Sequence, residues 1–234
     1  MPLAAARSLL GALFGGRCFL CRGAAGAALL CAGCDGDLPR LAPERCPCCA
    51  LPAAGDRVCG RCLAAPPDYD ATEAALVFAF PADVLVHALK YRGELALAPF
   101  LASLLVPRLA DAGRVDAIVP VPLSTARLRA RGYNQALELA RPLATATGVA
   151  LSPGWLERTT DTPALAGLAL AERASSVRGA FRCPSSLAGA VVAVVDDVMT
   201  SGATLDEVAR TLKRAGAARV VNWVVARTLP HADA

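Results

Sequence analysis

The sequence predicts an α/β domain with a small cysteine-rich module in front of it, and three observations support this. Nine of the ten cysteines lie before residue 63, and eight of these form two copies of one spacing. The stretch LAAPPDYD that follows is typical of a linker, with Pro66 and Pro67 marking the boundary. Beyond it, apolar runs alternate with helical patterns, as in parallel βαβ units with helices on both faces of the sheet. We therefore expect the module at residues 1–67 and an open, mainly parallel sheet at residues 68–234.

The N-terminal stretch predicts a short packing helix, because Leu9, Leu10, Leu13 and Phe14 stand at helical spacing. Its apolar run is too short to span a membrane. A secretory signal peptide is the alternative, but a small-residue cleavage site before the cysteines is lacking. No other apolar stretch in the sequence is both long and uncharged enough for a bilayer, so we expect a cytoplasmic protein.

The cysteines repeat as Cys-x2-Cys-x9-Cys-x2-Cys with a period of 28 residues. Because the residues between them include few large apolar side chains, these roughly 45 residues would have almost no hydrophobic core. They would need a bound metal or disulfide bonds to fold. Paired Cys-x2-Cys turns suit tetrahedral Zn²⁺, and two copies predict a double zinc ribbon. A disulfide framework is the alternative and needs an oxidising compartment. The expected ligands are Cys18, Cys21, Cys31, Cys34, Cys46, Cys49, Cys59 and Cys62.

Two cysteines do not fit the repeat. Cys48 stands within the stretch CPCC, so either Cys46 or Cys48 could act with Cys49 as a ligand. Cys183 lies alone in the α/β domain and is expected to be inert.

The elements of the α/β domain follow from periodicity and from their capping residues. A helix from Ser124 to Gly148 contains Arg127, Arg129 and Arg131, which cannot all share one helical face, so part of this stretch is expected to be loop. The lone residues His87, Trp155 and Trp223 are expected to pack. The predicted order is a strand at 73–80, helices at 83–91 and 95–113, a strand at 115–122, a helix at 124–148, a strand at 189–198, a helix at 203–217 and a strand at 219–228.

The junction between the strand at 189–198 and the helix after it carries the chemistry. Ligands of open α/β sheets lie beyond the carboxyl ends of strands, and phosphates lie where a helix begins. Gly202 lets a backbone approach closely, and neighbouring hydroxyls add donors. Asp196 and Asp197 would repel a phosphate unless they meet hydroxyls or a metal instead. A phosphorylated sugar satisfies both parts of the junction.

At this junction VVDDVMTSGAT resembles the phosphoribosyl-pyrophosphate (PRPP) motif of type I phosphoribosyltransferases. The resemblance implies that Asp196 and Asp197 hold the ribose 2′ and 3′ hydroxyls and that the next loop wraps the 5′-phosphate. A receiver domain also carries an acidic pair, but near its start and without such a loop. The implied phosphate loop is Thr200, Ser201, Gly202, Ala203 and Thr204.

Three further stretches and the paired ribbons resemble the ComF family across nearly the whole chain. They are HALKYRGE at 87–94, VPVPLSTARLRARGYNQA at 119–136 and TDTPALAGLALAERASSVRGAF at 160–181. The resemblance implies a type I phosphoribosyltransferase fold. Leu165 and Ser176 replace a family Gln and Asn, which leaves chemistry on a second substrate less supported than sugar-phosphate binding. The candidate pyrophosphate or anion contacts are Lys90, Arg129, Arg131 and Arg173.

The resemblance implies binding of PRPP with Mg²⁺, transfer of phosphoribosyl to an unidentified acceptor, and a link to DNA uptake in natural competence. Asp196 and Asp197 would act in catalysis by stabilising the positive charge that develops on the sugar ring. The alternatives are a PRPP sensor without turnover and a module that handles single-stranded DNA with the competence machinery. The net charge of +4 permits nucleic acid without indicating it. Residues 1–67 carry seven arginines against four acids, but only Phe14 and Phe19 for stacking.

Overall fold

The computed structural model describes residues 16–110, 113–160 and 177–230. The strands are β1 (Gly16–Arg17), β2 (Ala24–Gly26), β3 (Ala71–Val77), β4 (Ala117–Pro120), β5 (Ala150–Leu151), β6 (Glu157–Arg158), β7 (Phe181–Arg182), β8 (Val191–Met199) and β9 (Arg219–Arg227). The helices are α1 (Ala32–Gly36), α2 (Gly60–Ala64), α3 (Ala82–Tyr91), α4 (Leu97–Leu109), α5 (Thr125–Arg131), α6 (Gln135–Thr147) and α7 (Ala203–Arg214).

The central sheet has five strands in the order β3-β9-β8-β4-β5, and every neighbouring pair is parallel. Strands β8 and β9 are buried almost continuously, as expected of strands that are covered on both faces. The predicted parallel α/β sheet is confirmed. Its short edge strand β5 and the antiparallel pair β6–β7 were not predicted, because two-residue strands leave no periodicity to detect.

Alternate residues of β8 face two different cores, because side chains alternate along a strand. Ala193 and Val195 pack with α3, α4 and α6, whereas Val192 and Val194 pack with α7. Each cysteine cluster joins one of these cores. Cys18 lies in the first core, and Cys46 lies in the second.

The segment between the two cysteine clusters covers the edge of β3. Leu41 N–H donates to the Ala75 carbonyl at 2.9 Å, and Val77 N–H donates to the Pro39 carbonyl at 2.7 Å. These bonds satisfy backbone groups that an edge strand would otherwise expose. The cysteine-rich module is therefore packed against the sheet, while its boundary at residue 67 remains a prediction.

The stretch at 124–148 is not one continuous helix, and the expected loop lies within it. The structure has α5 and α6 there, separated at Gly132, whose φ of 83° ends the first helix in the left-handed conformation. Asn134 then caps α6, because its side chain accepts from Ala136 N–H at 3.0 Å. The expected loop is confined to residues 132–134, and the three arginines before it are all helical.

The predictions on the lone aromatic residues and on membrane spans can also be compared with the structure. Trp223 is buried and Trp155 is partly buried, as predicted, while exposed His87 packs edge-on against Phe78. In the three described ranges, no helix combines the length and the apolar character that a membrane span requires. The predicted helix over Ser8–Phe14 lies outside these ranges.

Candidate functional site

The two cysteine clusters have the geometry of metal centres. Within each cluster the four sulfur atoms lie within 4.8 Å of one another. The Cys21–Cys31 and Cys49–Cys59 sulfur pairs are 3.7 and 3.6 Å apart. Four thiolates around Zn²⁺ stand about 3.8 Å apart, whereas a disulfide needs about 2.05 Å. The donor set therefore fits two structural zinc ions.

The fold decides which cysteine belongs to the second cluster. Cys46 lies in the cluster with Cys49, and the Cys59 N–H donates to the Cys46 sulfur at 3.4 Å. Burial opposes ionisation of Cys46, but backbone amides outweigh it and lower its pKa to about 7. Cys48 lies outside the cluster, with its sulfur 3.8 Å from the Tyr69 carbonyl. Burial raises the pKa of Cys48, so it favours the neutral thiol.

The acidic pair occupies the carboxyl-terminal half of β8. Asp197 is buried, and the Lys90 ammonium donates to its Oδ1 at 3.2 Å and lies 3.0 Å from its Oδ2. This Oδ2 accepts no hydrogen bond from the described residues. Asp196 is half-buried and faces the loop that follows β8. A strand therefore directs the two carboxylates to different neighbours.

The charges of these three groups are coupled. Burial and repulsion from Asp197 raise the pKa of Asp196 to about 7, although Lys90 acts in the opposite direction. Burial opposes the charge of Lys90, but Asp197 and Asp196 together raise its pKa. A raised carboxylate pKa beside a cavity is typical of a functional site.

The loop after β8 forms a small cavity with Asp196 and the start of α7. Gly202 is the N-cap of α7 and has a φ of 87°. Because glycine has no side chain, this residue cannot cap the amides of the first turn. Free amides at a helix N-terminus attract anions. The Ala203 N–H donates to Ser201 Oγ at 3.3 Å. The cavity is lined by Asp196, Val198, Met199, Thr200, Ser201, Gly202, Ala203, Thr204 and Leu205.

Replacing Gly202 by alanine is expected to lower both stability and anion binding. The added Cβ would stand 2.9 Å from Met199 Cε and 3.0 Å from Tyr69 Oη. The positive φ adds strain, and together these effects should lower the free energy of unfolding by about 2 kcal/mol. Gly154→Ala is the matched control, since nothing lies within 4 Å of its Cβ position. Thermal unfolding of both variants tests this, and equal melting temperatures would contradict it.

A second cavity of about 310 Å³ lies beside Lys90. The Arg131 guanidinium stands 5.3 Å from the centre of the Tyr91 ring and also donates to Gln135 Oε1. The Tyr133 hydroxyl donates to the Leu89 carbonyl, which joins the loop after α5 to α3. The lining residues are Lys90, Tyr91, Gly93, Arg127, Ala130, Arg131 and Tyr133.

The second cavity includes only part of the predicted anion set. Lys90 and Arg131 line it, whereas Arg129 is exposed and does not. Arg173 lies outside the described residues. Arg127 also lines the cavity although it was left out of the candidate anion contacts, and its position four residues before Arg131 places both on one helical face.

Comparisons with known proteins cover both parts of the chain. Residues 9–63 match the double zinc ribbon domain, and residues 92–229 match the phosphoribosyl transferase domain. The chain is 37% identical to DNA utilization protein YhgH of Salmonella typhimurium, over 79% of this chain and 84% of that protein. It is 34% identical to YhgH of Escherichia coli K12, over 92% of this chain and 98% of that protein.

The match to a third relative also extends over nearly the whole chain. Competence protein F of Haemophilus influenzae is 30% identical, over 92% of this chain and 98% of that protein. Within this chain the two domain matches follow one another in the predicted order. The chain therefore belongs to the ComF family, which joins a double zinc ribbon to a phosphoribosyltransferase domain.

Proposed function

We propose that this protein binds PRPP at the carboxyl end of β8. One observation carries the proposal: an acidic pair, a glycine-capped loop and a basic cavity lie side by side there. The 5′-phosphate would take the loop of residues 200–204, and the ribose hydroxyls would meet Asp196 and Asp197. The pyrophosphate would lie toward Lys90, Arg127 and Arg131.

The Lys90–Asp197 ion pair suits a ligand that carries both hydroxyls and phosphates. The Lys90 ammonium pairs with the buried Asp197 carboxylate, whose Oδ2 accepts no hydrogen bond from the described residues, so Oδ2 could accept one from a ribose hydroxyl. The same ammonium faces the cavity that would hold the pyrophosphate. Mg²⁺ would enter with the pyrophosphate and offset its charge, because this ion prefers phosphate and carboxylate oxygens.

We further propose that the site supports phosphoribosyl transfer to an acceptor that is still unassigned. An incoming nucleophile would attack C1 of the ribose while the bond to pyrophosphate breaks, and the two carboxylates would stabilise the charge on the ring. The replaced positions Leu165 and Ser176 lie outside the described residues. Pyrophosphate release with a panel of nucleobases and amines separates transfer from sensing, because a sensor binds PRPP and releases none.

Titration calorimetry of the intact protein with a ligand panel tests the binding proposal. PRPP with Mg²⁺ should bind more tightly than ribose 5-phosphate or pyrophosphate alone, since it contacts all three parts of the site. Free ribose should give no measurable heat because it lacks the phosphate. Failure of PRPP to bind, or equal affinity for ribose, would overturn the proposal.

The affinity for PRPP is expected to rise with pH. Asp196 has a pKa of about 7 in the free protein, so it is largely protonated at pH 6 and ionised at pH 8. Because the ionised form accepts the ribose hydroxyls, PRPP should bind about tenfold more weakly at pH 6 than at pH 8. Pyrophosphate, which does not need Asp196, is the control for the ionisation of the ligand. The same pH dependence for both ligands would contradict this role of Asp196.

A second candidate function is the handling of single-stranded DNA in the cytoplasm during DNA uptake. The names of the relatives, DNA utilization protein and Competence protein F, favour it. Phe80 and Tyr91 are 79% and 68% exposed on the α/β domain, so aromatic groups for base stacking lie outside the ribbons. Salt-dependent binding of an oligonucleotide, measured with and without PRPP, would test this role and any competition between the two ligands.

A further inference from the structure

Arg227 links the second cysteine cluster to the start of the phosphate loop. It is the last residue of β9 and is buried, with 1% of its surface exposed. Its Nε donates to the Cys49 carbonyl at 2.8 Å, and its Nη1 donates to the Met199 carbonyl at 2.8 Å. Nη1 also donates to the Thr200 carbonyl. One guanidinium thus contacts a metal-ligand residue, the last residue of β8 and the first residue of the loop.

Arg61 makes the same connection from the surface. It lies between the ligands Cys59 and Cys62, and its Nη2 donates to the Ser201 carbonyl at 2.7 Å. Its side chain is exposed, so the contact does not depend on core packing. Two arginines therefore bind the carbonyls of Met199, Thr200 and Ser201, which are consecutive from the end of β8 into the loop.

Holding three consecutive carbonyls also orients the amides. In a trans peptide the carbonyl and the next N–H point in opposite directions, because the peptide is planar. Carbonyls directed at the arginines therefore direct the N–H groups of Thr200, Ser201 and Gly202 away from them. These N–H groups belong to the residues that line the loop cavity. The arginines thus orient the amides that would receive a phosphate.

Electrostatics favours the same arrangement. No carboxylate in the described ranges pairs with Arg227, although its guanidinium is buried. A zinc ion held by four thiolates is a net anion, because the thiolate charges outweigh that of the metal. Arg227 and Arg61 would then lie between an anionic metal centre and an anionic phosphate.

We propose that Arg61 and Arg227 are positioning residues through which the second zinc ribbon orders the phosphate loop. Affinity for a 5′-phosphate then depends on the intact cluster of Cys46, Cys49, Cys59 and Cys62. This inference rests on the proposed function, since it takes the loop of residues 200–204 as the phosphate site. It adds that the ribbon is a structural part of that site.

The test compares two probes on matched variants. Ribose 5-phosphate uses the loop, whereas pyrophosphate uses the cavity beside Lys90. Arg61→Ala should weaken ribose 5-phosphate about fivefold, the equivalent of one hydrogen bond, and leave pyrophosphate unchanged. Arg227→Lys keeps the positive charge but loses the planar guanidinium that reaches several carbonyls at once. It should therefore lower the affinity for ribose 5-phosphate at least about tenfold. Arg57→Ala, an exposed arginine of the same ribbon, should change neither affinity.

A second measurement uses the reciprocity of linked binding. If the ribbon strengthens phosphate binding, ribose 5-phosphate must strengthen zinc retention by the same factor. The zinc affinity, measured at equilibrium against a competing chelator, should therefore rise when ribose 5-phosphate is added to the native protein, and it should rise less in Arg61→Ala, which keeps only the Arg227 link. Equal affinities in Arg61→Ala and native protein, or losses shared by pyrophosphate, would overturn the inference. If the native protein binds no ribose 5-phosphate, the proposed function itself fails, and the inference fails with it.

Discussion

Replacing both carboxylates, Asp196→Asn together with Asp197→Asn, is expected to weaken PRPP binding by at least about hundredfold. Each ionised oxygen that accepts a ribose hydroxyl contributes about 1.5–3 kcal/mol, and the two replacements remove both charges without changing shape. Lys90 stays in place but loses its partner, so the pyrophosphate cavity keeps its positive charge. Titration calorimetry with PRPP and Mg²⁺ measures the loss.

Two controls make this result specific. Asp37→Asn makes the same change of charge on an exposed side chain of the first ribbon, and it should bind PRPP as the native protein does. The zinc content of every variant should stay the same, because neither aspartate lies in a cysteine cluster. Native affinity in the double variant would show that the carboxylates do not hold the ribose.

The single variant Asp196→Asn is expected to stabilise the fold, although it should weaken PRPP binding. A carboxylate whose pKa is raised in the folded state destabilises the fold once the pH exceeds its unfolded pKa, and this loss grows until the folded pKa is reached. With a folded pKa of about 7, the native protein loses stability between about pH 4 and pH 7. Asp196→Asn should therefore melt several degrees higher at pH 8 and no higher at pH 4.

Loss of a zinc ligand in the second ribbon should give the largest fall in stability. Cys49→Ser removes one of four thiolates, and structural zinc sites contribute about 10 kcal/mol or more to the folding of small modules. The damage should extend beyond the ribbon, because Cys62 and Leu41 pack in the same core as Val194 of β8. We expect the zinc content to fall from two ions to one and the melting temperature to fall by at least about 10 °C.

Cys48→Ser is the matched control for this prediction. The residue is adjacent to Cys49 but lies outside the cluster, so the variant should keep both zinc ions and melt close to the native protein. Metal analysis by mass spectrometry and thermal unfolding give both values. A zinc ion lost from Cys48→Ser would contradict the ligand set, and an oxidised protein without metal would favour the disulfide framework instead.

Much of the fold could be predicted from local sequence. The spacing of the cysteines predicted two metal clusters, since two ligands with two residues between them are brought together by a single turn. The strands at 73–80, 115–122, 189–198 and 219–228 were predicted within a few residues of β3, β4, β8 and β9. The stretch around Asp196 and Asp197 was recognisable because strand, loop and helix are contiguous there. Local signals of this kind do not depend on how distant segments pack.

The contacts that complete the candidate site depend on tertiary structure. Lys90 and Asp197 are 107 residues apart, and Arg227 and Cys49 are 178 residues apart. No periodicity reports such pairs, because they form only after α3 and the second ribbon pack on opposite faces of the sheet. The choice of Cys46 over Cys48 and of Arg127 over Arg129 was likewise decided by which side of a turn or helix faces its neighbour. The sequence by itself determined which chemical groups are present and how each segment folds, whereas packing of the sheet faces decided which groups meet.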